Sequence, residues 1–187
     1  MCTRGSNGAL LCGPSTSPLE GALVALRCTR RLLQRLRTDL AAPVPVARNS
    51  LGHWYATVLT FNRTAYVIAL SERSLLSVVL PGAPFNTLVA RFPAALTELL
   101  RALSIPASQV TTEVAATSPL VVAATASRRV LGCLNQYAFE LSIHMADEPH
   151  SSLLRRELWL SENISSAIHY SAPREVAQEL LSGWGRQ

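Results

Sequence analysis

Residues 51–82, LGHWYATVLTFNRTAYVIALSERSLLSVVLPG, constrain the fold more than any other stretch. Three β-rich runs follow one another there, separated by turns too short to hold a helix. Asn62-Arg63-Thr64 divides the first two runs, and Ser71-Glu72-Arg73-Ser74 divides the second from the third. Connections this short join neighbouring antiparallel strands, so the segment predicts a β-meander. A meander is a fold element with no function attached. The chain carries no nucleophile elbow, phosphate loop or dinucleotide-binding glycine pattern from which a reaction could be read.

With 187 residues, 49% of them hydrophobic, the chain can bury a substantial core within one domain. All 17 basic residues are arginine, and the formal charge of +5 favours an acidic partner only modestly. Cys2, Cys12, Cys28 and Cys133 are scattered without a Cys-x-x-Cys pair, and His53, His144, His150 and His169 show no His-x-x-x-His spacing. Reduced thiols are therefore expected, with no metal site and no cofactor. No 18-residue apolar run occurs, which leads to the expectation of a soluble, cytoplasmic protein without a membrane contact.

Residues 1–20 are rich in Gly, Ser, Thr and Pro without a strand or helix period, and are expected to form a flexible extension before a domain at 21–187. Residues 22–28 suit a strand. Thr29 can cap a helix to about residue 40, with Leu32, Leu33, Leu36 and Leu40 inward and Arg30, Arg31, Arg35 and Arg37 outward. Pro93 should divide 85–104 into two helices. The β-branched residues of 110–117 predict a further strand, with 120–124 as its continuation. Residues 127–145 fit both a helical stripe and a strand alternation; helix is expected because no turn breaks so long a run. A short amphipathic piece at 153–160 and a last helix from Pro173, with Val176, Leu180 and Leu181 inward, complete the chain.

Three pieces follow one another in this order: Leu26-Arg27-Cys28-Thr29-Arg30-Arg31-Leu32-Leu33, Leu51-Gly52-His53-Trp54-Tyr55-Ala56, and Arg129-Val130-Leu131-Gly132-Cys133-Leu134-Asn135-Gln136. With them the chain resembles, over residues 23–182, a bacterial family catalogued as the domain of unknown function numbered 6933. The resemblance implies domain boundaries and no activity, and it leaves residues 1–20 outside the family pattern.

The candidate site residues are His53, Tyr55, Arg128 and Asn135. Strand geometry puts His53 and Tyr55 on one face and Trp54, a core residue, on the other. Arg128, Asn135 and Ser142 are seven apart and share a helix side, where Gly132 exposes backbone; a phosphate or carboxylate could lie against such a strip. The blander alternative has Gly132 in close helix packing and Asn135 satisfying a buried backbone group. The arginine pairs Arg30-Arg31, Arg128-Arg129 and Arg155-Arg156 read as solvated surface. Taken together, the sequence predicts an α+β single domain, an antiparallel meander sheet with helices packed on one face. The expected function is a non-enzymatic binding module with an arginine-rich surface, its partner a protein or a nucleic acid. The alternative is a small enzyme acting on a phosphorylated or nucleic-acid substrate through a His/Tyr/Arg/Asn pocket.

Overall fold

The computed structural model describes residues 24–44 and 46–183, so the expected extension at 1–20 lies outside the described residues. Five strands, β1 (Val24–Cys28), β2 (Trp54–Phe61), β3 (Thr64–Ser71), β4 (Ser77–Pro81) and β5 (Leu120–Ala124), form one sheet in the order β4-β3-β2-β1-β5. Six helices surround it: α1 (Arg30–Leu36), α2 (Leu88–Ala102), α3 (Ala107–Ala116), α4 (Arg128–Asp147), α5 (Leu153–Ser161) and α6 (Pro173–Gly183). The architecture is α+β in a single domain.

The meander forms where the sequence predicts it. β2 and β3 pair antiparallel from Trp54↔Ser71 to Phe61↔Thr64, and β3 pairs with β4 from Tyr66↔Pro81 to Leu70↔Ser77. Asn62 and Arg63 both take left-handed φ values, 45° and 64°, which let a two-residue turn follow the strand twist.

The sheet is mixed, however, not purely antiparallel. β1 lies between β2 and β5 and is parallel to both, with Leu26 opposite Trp54 and Val122. A helix separates β1 from β2 in sequence, and a helical crossover returns the chain to the same end of the sheet. The expectation that helices cover one face is also corrected, because both faces are covered. One face carries Leu26, Trp54, Ala69 and Val78 against α1, α2 and the inner side of α6; the other carries Tyr55, Ile68, Leu70 and Val79 against α4 and α5. Strands buried on both sides need apolar residues at both parities, as the runs Val67-Ile68-Ala69-Leu70 and Val78-Val79-Leu80 supply.

Three local expectations change. α1 stops at Leu36 because Arg37 turns left-handed (φ 50°) and its N–H closes on the Leu33 carbonyl. α2 runs unbroken through Pro93; the proline removes one backbone donor, whereas a break there would withdraw Leu88 and Phe92 from the core that Leu96, Leu99 and Leu100 complete. Residues 107–116 are helix where a strand was expected. Val110, Glu113 and Thr117 recur at helical spacing on the buried side, and the hydroxyls of Thr111 and Thr112 donate to the carbonyls one turn back. β5 then stands as a strand of its own. α4 is one helix, N-capped by Ser127, whose Oγ accepts the Val130 N–H at 3.4 Å.

Candidate functional site

The Gly-His-Trp-Tyr segment enters β2 from a loop, residues 47–52, held from two sides. Glu113 of α3 is buried and accepts from Asn49 Nδ2 at 2.7 Å, Ser50 N at 2.9 Å and Leu51 N at 3.2 Å. Burial raises its pKa, and those three donors oppose the shift. Arg73 grips the same loop by its carbonyls, donating to Asn49 O at 2.9 Å, Ser50 O at 3.3 Å and Ala47 O at 3.4 Å. Its aliphatic stem crosses Gly52, which has φ 77°; a Cβ there would sit 3.1 Å from Arg73 Cγ. Glycine is required at this position both by conformation and by that close approach.

His53 is buried, and its Nδ1 accepts the Ala25 N–H at 3.1 Å, tying the start of β2 to β1. Trp54 is fully buried on the opposite face, edge-on to Phe92 with ring centroids 5.1 Å apart. Tyr55 returns to the His53 side, where its hydroxyl lies 3.4 Å from Glu72 Oε1 and the Arg27 guanidinium sits 5.9 Å above its ring. Burial raises the Tyr55 pKa first, and the Glu72 carboxylate raises it further; Arg27 and the Ser127 backbone act in the opposite direction. Glu72 Oε2 also accepts the His53 N–H at 3.4 Å. These contacts join three neighbouring strands through side chains.

Arg128 and Asn135 stand apart from this group. Both are exposed on the solvent side of α4, while Tyr55 packs under its buried stripe of Val130, Leu134, Tyr137 and Leu141. The structure therefore joins His53 and Tyr55 but does not bring Arg128 and Asn135 into a pocket with them. The bland alternatives for this strip are corrected as well: Asn135 satisfies no buried backbone group, and a Cβ on Gly132 would meet nothing within 4 Å. A cleft of about 620 Å³ on the Glu72 side of the motif is lined by Glu72, Arg73, Arg129, His169 and Glu179 and contains none of the four predicted residues.

Among the arginine pairs, Arg156 departs from the surface reading. It is buried and its Nη2 donates to the carbonyls of Glu148 and Pro149 at 3.1 and 3.2 Å, closing the turn between α4 and α5. Next to it, buried Glu157 caps the outer edge of the sheet by accepting the Val79 N–H. On α1 the opposite holds. Arg30, Arg31, Arg35 and Arg37 are all exposed, and the ion pairs among the described residues, Arg155–Glu148 and Arg174–Glu162, involve none of them. Arg35 rests its guanidinium 5.8 Å over the Phe85 ring.

Sequence reasoning missed Glu72, Arg73, Glu113 and Glu157 as organising residues. Glu113 carried a signal, as the one charge within an otherwise uncharged stretch at residues 102–127. The others act on groups distant in sequence and had none. Among the described residues no group of His, Cys, Asp and Glu could hold a metal ion, and no helix is long and apolar enough to cross a membrane. No curated protein and no solved structure matches the chain. Residues 25–176 match the family described as Domain of unknown function (DUF6933), and the chain belongs to that family.

Proposed function

We propose that this domain is a non-enzymatic binding module that engages a polyanionic partner, a nucleic acid, through the outer side of α1. The observation that carries the reading is the cluster of four exposed arginines, Arg30, Arg31, Arg35 and Arg37, with no carboxylate of the described residues in ion-pair contact. Guanidinium groups match phosphate oxygens as two-pronged donors, and Arg35 is already oriented by its contact with Phe85. The enzyme alternative depends on His53, Tyr55, Arg128 and Asn135 sharing a pocket. His53 and Tyr55 are instead occupied in strand-to-strand contacts and Asn135 faces solvent, so the binding reading has the stronger support.

The test is titration of the full chain against single- and double-stranded oligonucleotides over a salt series. Each neutralised phosphate releases counterions, so affinity should fall steeply with salt, and Arg31→Glu with Arg35→Glu should weaken binding and flatten the slope by roughly 1 to 2. Both positions are exposed, so the fold should be unchanged by circular dichroism. Absence of salt-sensitive binding at low ionic strength, or a double variant with the wild-type slope, refutes the proposal.

A further inference from the structure

The outer side of α4 carries a stripe that the monomer leaves uncovered. Residues three and four apart on a helix share a face. Arg128, Gly132, Gln136, Phe139 and Ile143 follow that spacing, and all are exposed, Phe139 by 65% and Ile143 by 46%. Nothing among the described residues requires a glycine at 132. Glycine is among the least favourable residues in a helix interior, it needs no special conformation here, and a Cβ at this position would meet nothing within 4 Å. On that stripe the missing side chain leaves a notch about two turns before exposed Phe139 and three before exposed Ile143, so one helix face carries a notch and two knobs.

The charges along α4 specify what fits. Arg128 and Arg129 stand at its first turn, Asp147 and Glu148 at its end, and neither Arg128 nor Asp147 has an ion-pair partner among the described residues. Two parallel copies of this helix would set like charges side by side. Two antiparallel copies related by a twofold axis across the middle of the helix set the basic end of each beside the acidic end of the other. The same register places Gly132 at the level of the second copy's Ile143, and Gln136 at the level of its Phe139. The patch is thus complementary to itself in charge and in shape, as an isologous interface requires. We propose that the occupant of this face is a second copy of the chain, forming a twofold dimer through antiparallel α4 helices. The proposal is independent of the α1 reading, since α1 packs on the opposite face of the sheet.

Sedimentation velocity of the full chain over a concentration series tests it. The wild type should show a concentration-dependent monomer–dimer equilibrium. Gly132→Leu, which fills the notch, and Phe139→Asp should each weaken the dimer by about tenfold or more. Gly132→Leu meets open space in the monomer and should raise its melting temperature, so loss of the dimer cannot be confused with unfolding. Arg128→Asp and Asp147→Arg should each weaken the dimer, and the double variant should recover most of the loss. A chain that stays monomeric throughout, leaving the stripe to some other partner, overturns the proposal. So does a dimer that survives both Gly132→Leu and Phe139→Asp, or a charge swap without recovery.

Discussion

Replacing Glu157 by glutamine should stabilise the protein at neutral and alkaline pH, and by an amount that grows with pH. Glu157 is 4% exposed, and its carboxyl accepts the Val79 N–H from the edge strand at 2.5 Å. Burial raises its pKa from 4.5 to about 8; the Val79 N–H opposes the shift, and the nearby Glu98 carboxylate adds to it. Below about pH 4.5 the group is protonated in both folded and unfolded chains and contributes no pH dependence. Between about 4.5 and 8 the unfolded chain has released this proton while the folded chain retains it, so stability falls as pH rises. Above about 8 both states are ionised and the full cost is in place, on the order of 5 kcal/mol at about 1.4 kcal/mol per pKa unit. At pH 7 the accumulated cost is roughly 3 kcal/mol. Glu157→Gln keeps an oxygen for Val79 and removes the titration. Urea unfolding of both proteins at several values between pH 4.5 and 9 gives the difference directly, and contributions from other buried groups such as Glu113 cancel in it. A gap that does not widen with pH, or a variant less stable than wild type at pH 8, would refute the reasoning.

Trp54→Ala should cost about 3–5 kcal/mol in the same unfolding assay, because the indole is fully buried against Phe92. Gly52→Ala should cost roughly 1–3 kcal/mol through its positive φ and its contact with Arg73, and the addition of Arg73→Ala should not restore stability, since the loop carbonyls then lose their donor. His53→Ala should cost about 1–3 kcal/mol by leaving the buried Ala25 N–H without its acceptor. Asn135→Ala should stay within about 0.5 kcal/mol of wild type by thermal melting, as exposed residues without partners do.

The legible parts of the fold are those whose signal is local. Short turns between β-rich runs give the meander, and an unbroken helical stripe gives α4. The second helical layer was also encoded, in the doubled parity of Val67-Ile68-Ala69-Leu70, but a meander considered alone invites a one-sided sheet. Residues 110–117 misled through their β-branched content; their helical register becomes apparent only once Glu113 is known to face inward. At the candidate site, the seven-residue spacing of Arg128 and Asn135 does place them on one side of a helix, opposite the stripe of Val130, Leu134, Tyr137 and Leu141. That stripe already assigned them to solvent. The roles of His53 and Tyr55 depend on β1 and Glu72 as neighbours, and pairings made across the sheet leave no trace in the local pattern.

The position of β1 governs how the chain reaches this state. Its residues precede every other strand, yet it ends between β2 and β5, with Val24 paired to Leu120 across most of the domain. The meander closes through loops of a few residues and can assemble from its own segment, whereas seating β1 on both sides requires closure of a loop of nearly a hundred residues. During synthesis, then, one side of β1 has no partner until residues 120–124 have left the ribosome. A chain truncated before Leu120 would present that unpaired edge as a template for aggregation.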